Sequence, residues 1–426
     1  MNRFFTLLIL LLATAVAAPA DTLSLEQCQE AAARNYPAIK QYDLITRGRD
    51  AELSNIARAW LPQVTVGAQA TYQSDVVSWP EQMRSMLVSM NMEFKGLRKD
   101  QYRVGVDINQ WIYDGGEIGS RKELARRSSD VDIRQTEVTL YAIRDRVNEL
   151  YFGVLLLNDR LALNADLHRL LAASEEKLSS LVEHGAAAEG DYSLVKAERL
   201  SCEQQQAALE SSREAMLAML SLFCGSEVTG VVKPDVPTVS NNLFNRPELN
   251  LFEAQRQLVD AREHALDAAL RPKFSLFAQG YYGYPGYNMF EDMVSHRWSL
   301  NGMVGVKMTW NIGALYTRNN DKARLELQRR TIDTNREVFR FNNDLEQVRL
   351  RRDIELYHNL MSSDDEIIAL RASVRRAAES RLDHGIIDAT DLIAELNNEH
   401  AARVQRSTHE LEWLKRQYSL QIARNN

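Results

Sequence analysis

Residues 63–73 read Gln63-Val64-Thr65-Val66-Gly67-Ala68-Gln69-Ala70-Thr71-Tyr72-Gln73, and their alternation decides the fold. Val64, Val66, Ala68, Ala70 and Tyr72 fall on one side of an extended chain, with Gln63, Thr65, Gly67, Gln69, Thr71 and Gln73 on the other. A period of two over about a dozen residues predicts a strand with one apolar face. The pattern recurs at Tyr102, Val104, Val106 and Ile108, at Phe274, Leu276, Ala278, Gly280 and Tyr282, and at Leu300, Gly302, Val304, Val306, Met308 and Trp310. Two readings fit these four strands. Transmembrane β-strands need about 9 to 11 residues with apolar side chains toward lipid and aromatics near the interfaces. Soluble hairpins with one face on a core alternate in the same way. Trp60, Tyr72, Tyr102, Trp111, Tyr113, Tyr281, Tyr282, Tyr284, Trp298 and Trp310 stand near the strand ends, as the membrane reading requires. Segments 74–100 and 285–296 then become outer loops, and Met83, Met86, Met90 and Met92 are read as packing residues of the longer loop rather than as a copper site.

Working outward, the chain matches itself at an offset of about 200 residues. Asn35-Tyr36-Pro37-Ala38-Ile39 resembles Asn245-Arg246-Pro247-Glu248-Leu249, and each proline is followed 25 residues later by another, Pro62 and Pro272. Val104-Gly105-Val106 recurs as Val304-Gly305-Val306. Eighty residues beyond each of those glycines stands a second one, in His184-Gly185 and His384-Gly385, and six residues later an aspartate, Asp191 and Asp391. The chain therefore divides into a first repeat, 21–235, and a second, 236–426, joined by an extended connector around Pro234 and Pro237.

Between the strands and the His-Gly pairs lie long proline-free stretches, 115–184 and 313–384. In the first, Ile143, Val147, Leu150, Val154, Leu157 and Leu161 keep a period of 3.5. After the His-Gly, Val195, Cys202, Leu209, Met216 and Phe223 recur every seven residues. Heptads predict coiled coils, so each repeat ends in a long antiparallel helical hairpin. Glycine at the turn suits a left-handed helix cap, and histidine suits the negative pole of the helix it ends.

The 426 residues, 45% hydrophobic and 26% charged, fit a core-forming chain and exclude disorder, and a net charge of −7 gives no electrostatic footprint for nucleic acid. Mean hydropathy is −0.36 and no internal stretch is apolar enough for a membrane-spanning helix. Residues 1–20 read as a signal peptide, with Arg3, the apolar run Phe4 to Leu12, and Ala18-Pro19-Ala20 as cleavage site. Cys28, Cys202 and Cys224 make an odd set for an oxidising compartment. Cys202 and Cys224, 22 residues or ~33 Å apart on one helix, are beyond disulfide reach, and all three are read as packing residues.

Four strands cannot line a membrane passage alone, because open sheet edges would leave unpaired amides in hydrocarbon. Two copies give eight strands and three give twelve; strand counting does not choose. The tandem halves, each with a strand opened by proline (Leu61-Pro62; Arg271-Pro272), a second strand leading into a long helix through glycine (Asp114-Gly115-Gly116; Gly313) and a His-Gly tip, together with Asn245-Arg246-Pro247-Glu248-Leu249, resemble the TolC-type outer-membrane efflux protein family. The resemblance implies a mainly α fold with a transmembrane β part. It implies a homotrimer whose 12-stranded β-barrel, four strands per chain, is continued by an antiparallel α-helical barrel across the periplasm. The function it implies is an exit duct of a tripartite efflux or type I secretion system, engaging a periplasmic adaptor (membrane fusion protein) and an inner-membrane pump.

Asp388, Asp391 and Glu395 are spaced i, i+3 and i+7, on one face of the returning helix. Around a shared pore they would form acidic rings that bind cations; equally, Asp388 and Asp391 suit an N-terminal cap. The resemblance sets Asp391 at the family's pore-constricting aspartate. The second acidic position of that pattern falls on Ala394, and the family's arginine two residues after the glycine is replaced by Ile387. Asp191, the equivalent in the first repeat, is read as a cap of its own helix. No nucleophile elbow, phosphate loop or metal-ligand spacing is found, so neither catalysis nor a cofactor is expected. The competing class is a soluble periplasmic coiled-coil adaptor or scaffold, which should carry one helical hairpin and a compact β-domain.

Overall fold

A computed structural model describes residues 22–90, 96–237 and 245–425. The leader read at 1–20 and Met92 lie outside the described residues. The elements are β1 (Thr22–Leu23), α1 (Leu25–Asn35), α2 (Gln41–Ala57), β2 (Gln63–Tyr72), α3 (Glu81–Ser89), β3 (Asp100–Tyr113), α4 (Glu117–Glu183) and α5 (Glu189–Cys224). Then come β4 (Gly230–Val231), α6 (Pro247–Ala269), β5 (Lys273–Tyr284), α7 (Met289–Ser295), β6 (Ser299–Thr309), α8 (Leu315–Asp383) and α9 (Ala389–Arg424). They fall into two compact units, one of residues 42–135 and 250–336, the other comprising the remaining segments.

In the first unit β2, β3, β5 and β6 form one antiparallel sheet in that order. Its register lines up the apolar positions of all four strands. Val64 pairs with Ile108, Ile108 with Ala278 and Ala278 with Val304; Ala68, Val104, Tyr282 and Leu300 form another such row. The opposite face carries rows such as Thr65, Asp107, Gln279 and Met303. Among the described residues no core covers the apolar face: Val66 is 73% exposed, Val304 76% and Leu300 82%. A soluble half-buried sheet would hide these residues, so the exposure decides between the two readings of the alternation. Aromatic side chains gather at both sheet ends, Tyr102 and Tyr282 against Trp298 at one and Tyr113 against Phe274 at the other. From Tyr102 to Tyr113 along a strand tilted by about 40° is roughly 28 Å, the height of a membrane's apolar band.

The outer loops contain short helices that the sequence reading did not anticipate. They are α3 and α7, and α7 contributes Met293 to a cluster with Leu97 and Tyr284 on which Val76 and Trp79 pack. The methionines do not pack this loop: Met83, Met86 and Met90 are exposed on α3 or at its end. A nine-residue helix with exposed methionines contributes no buried residue, and the loop core comes instead from Leu97, from Tyr284 at the end of β5 and from Met293 of α7.

Strand passes into helix at Asp114-Gly115-Gly116, where both glycines take positive φ. The Asp114 carboxylate accepts from Gly116 N (2.9 Å) and Ile118 N (2.6 Å), satisfying amides that the first turn of α4 leaves free. Ile118 and Ala125 of α4 then bury against Ile56 of α2.

The second unit is built on the predicted heptads. Ile143, Val147 and Val154 of α4, Leu217 and Leu220 of α5, and Leu411 and Leu414 of α9 share one core with Leu25 and Cys28 of α1. A two-stranded parallel ladder, Thr22–Gly230 and Leu23–Val231, closes it. The buried Tyr151 hydroxyl lies 2.9 Å from Leu23 O and 2.6 Å from Val232 O, tying both strands of that ladder, at one end, to α4. Helix α8 differs: Val338, Phe341, Leu345, Val348, Leu370 and Val374 form an exposed apolar stripe along it.

Candidate functional site

The two His-Gly turns are built alike. Gly185 and Gly385 have φ of +71° and +67°. Gly185 N donates to Val182 O (2.9 Å) and Ala186 N to Leu181 O (2.7 Å); Gly385 N and Ile386 N make the same pair of bonds to Leu382 O and Arg381 O. These bonds satisfy the last carbonyls of α4 and α8 in the Schellman arrangement. His184 Nδ1 lies 2.7 Å from Ser180 O and His384 Nδ1 2.6 Å from Ser380 O, so each ring folds back onto the helix it ends.

Beyond the turns, α5 and α9 start side by side. Leu178, Val195, Ala389 and Ile393 pack together there, with Leu167, Leu171, Cys202, Ala378, Leu392 and Leu396 as the adjoining layer. Asp388 is the N-cap of α9, its carboxylate accepting from Asp391 N at 3.1 Å. Asp391 follows in the first turn with an exposed side chain. Among the described residues no cation is within ion-pair distance of Asp388 or Asp391. Glu395 is half-buried and faces Arg371 of α8 at 3.7 Å. The three carboxylates differ: Asp388 is a cap, Glu395 has a cationic neighbour, and Asp391 is free toward solvent.

Asp191 does not cap its own helix. The N-cap of α5 is Ala188, with no side-chain bond, and the Asp191 carboxylate instead accepts from Ala389 N at 3.4 Å, at the start of α9. Two aspartates therefore serve one helix N-terminus, whose partial positive charge favours them. Sequence spacing sees contacts within a helix and misses this one, which depends on how the hairpins pack. Also unanticipated are an ion pair between Lys177 and Asp383, which joins the ends of α4 and α8, and the buried Glu399 held by Arg375 and Arg403 at 2.6 Å each. The i, i+4 spacing of Glu399 and Arg403 is legible; the arrival of Arg375 from α8 is not. Ile387, at the family's arginine position, packs against the Leu392 and Leu396 layer.

Residues 28–226 match the family model described as "Outer membrane efflux protein". No curated protein matches the chain. Among solved structures, CusC superposes with a TM-score of 0.67 at 12% identity, covering 94% of this chain and 91% of its own. The Campylobacter jejuni CmeC outer membrane channel gives 0.65 at 13%, covering 94% and 85%. The open state of the Neisseria gonorrhoeae MtrE outer membrane channel gives 0.64 at 13%, covering 94% and 88%. The fold is that of the TolC-type channels. The match to the family's model over residues 28–226 and the channel fold of the whole chain together indicate an outer-membrane efflux duct with a large helical part in the periplasm. Channels of this family are in general trimers that work with adaptor and pump partners.

Proposed function

We propose that three copies of this chain close one 12-stranded barrel and form the passive exit duct of a tripartite efflux or type I secretion system. The observation that carries this is the sheet: four strands with one continuous, uncovered apolar face and two outer strands, β2 and β6, each paired on one side only. In hydrocarbon those edges must pair with another copy. The uncovered stripe on α8 supports the same conclusion for the helical part. A periplasmic adaptor and an inner-membrane pump are the partners the reading requires, since a barrel holds no energy source of its own. The chain is read as two repeats, 21–235 and 236–426, each giving two strands and one hairpin to the assembly.

At the tips, Asp391 is the residue proposed to line the constriction, with Glu395 one turn further along and Asp388 holding the helix start. Exposure and the lack of a cationic partner support Asp391 before the other two. Three such carboxylates around one axis would concentrate cations and oppose anions. The test is planar-bilayer conductance of the purified channel. Replacing Asp391 and Glu395 by Asn and Gln should shift the reversal potential in a salt gradient toward zero; unchanged cation selectivity returns both residues to helix capping and pairing.

A further inference from the structure

Cys28 and Cys224 are 196 residues apart in sequence and adjacent in the core. The Cys224 thiol points at the main chain of Cys28, its Sγ 3.8 Å from Cys28 O, and both thiols are free in this structure. Both are buried, in the cluster that also holds Ala32 of α1 and Leu220 of α5. The surrounding contacts fix the pair in register: Asn35 at the end of α1 donates to Leu222 O (3.0 Å) and Phe223 O (3.2 Å) at the end of α5. Cys202, by contrast, lies three heptads back along α5, its sulfur 3.3 Å from Asn164 Oδ1. The helix spacing that separates Cys202 from Cys224 thus places no limit on Cys224 and Cys28, which come from different helices.

We propose that Cys28 and Cys224 are joined by a disulfide in the exported protein, with Cys202 left as the one free thiol. This rests on the periplasmic placement of the helical part, because that compartment is oxidising. The two thiols give up two protons and two electrons as the S–S bond forms. The acceptor is the disulfide of a periplasmic thiol–disulfide oxidoreductase, which leaves as its dithiol after passing through a mixed disulfide. In the closed core, the neighbouring Cys224 thiol and burial hold the Cys28 thiol well above the usual thiol range. Exchange therefore proceeds while α1 is still docking, before the pair is sealed. Once formed, the bond fixes the start of the mature chain to the end of the first hairpin and closes a long loop, the situation in which a cross-link restricts the unfolded chain most.

The experiment is a thiol count on the full-length protein, recovered separately from the outer-membrane and the soluble periplasmic fractions. Each sample is denatured in alkylating reagent with or without prior reduction and then read by mass spectrometry. One alkylated cysteine before reduction, three after it, and a linked peptide pair carrying Cys28 and Cys224 are expected. Three alkylated cysteines without reduction, or a linked pair carrying Cys202, overturns the proposal. Recovery in the soluble fraction counts against the membrane placement instead, and the thiol count on that fraction still decides the disulfide. Cys28→Ser should raise the unreduced count from one to two, and this readout does not require the variant to fold.

Discussion

Gly185 and Gly385 show how much a single position carries at the turns. Nothing lies within 4 Å of an added Cβ at either, so the obstacle to a side chain is the positive φ itself. Gly385→Ala should cost about 1 kcal/mol, seen as a lower melting temperature of the detergent-solubilised protein, and Gly385→Asn clearly less. Glu399 carries a pH dependence. Burial raises its pKa, but Arg375 and Arg403 outweigh that and hold it below the ordinary value of 4.5. The folded state therefore binds this proton less readily than the unfolded chain. Its contribution is complete above about pH 4.5 and is lost as pH falls through the folded value. Glu399→Gln should destabilise by roughly 3 kcal/mol at neutral pH and flatten the acid limb of a stability-against-pH curve. The turn glycines were legible because a repeated His-Gly has a local cause, helix termination. The roles of Asp191 and Glu399 were not, because Ala389 and Arg375 reach them through packing between helices.

At the scale of elements, the strands and heptads were readable because burial and exposure impose periods of two and 3.5 on the sequence. The register that aligns Val64, Ile108, Ala278 and Val304 then follows from keeping one chemical face across four strands. What escaped were pieces too short to show a period: the ladder of β1 and β4, two residues each, and the loop helices α3 and α7. The sheet makes a direct prediction. Val304→Arg on the apolar face should cost roughly 2–4 kcal/mol in the bilayer and reduce the heat-modifiable oligomer in outer membranes, while Thr65→Arg on the other face leaves it near wild type. The α8 stripe makes another. Leu345→Asp, which is 55% exposed in the single chain, should leave that chain's helicity unchanged by circular dichroism yet lower the yield of assembled oligomer.

For the whole molecule, the account rests on incompleteness: a single chain leaves an apolar sheet face, two strand edges and a helix stripe uncovered. Membrane lipid can cover the first, and only further chains can cover the other two. The proposed number of copies, three, comes from the resemblance to channels that are in general trimers, which strand counting alone did not give. Native mass spectrometry of protein extracted from outer membranes in mild detergent tests this most directly. The account predicts a complex of three identical chains that persists until the detergent shell is stripped. A single chain, stably folded and soluble without detergent, would contradict it.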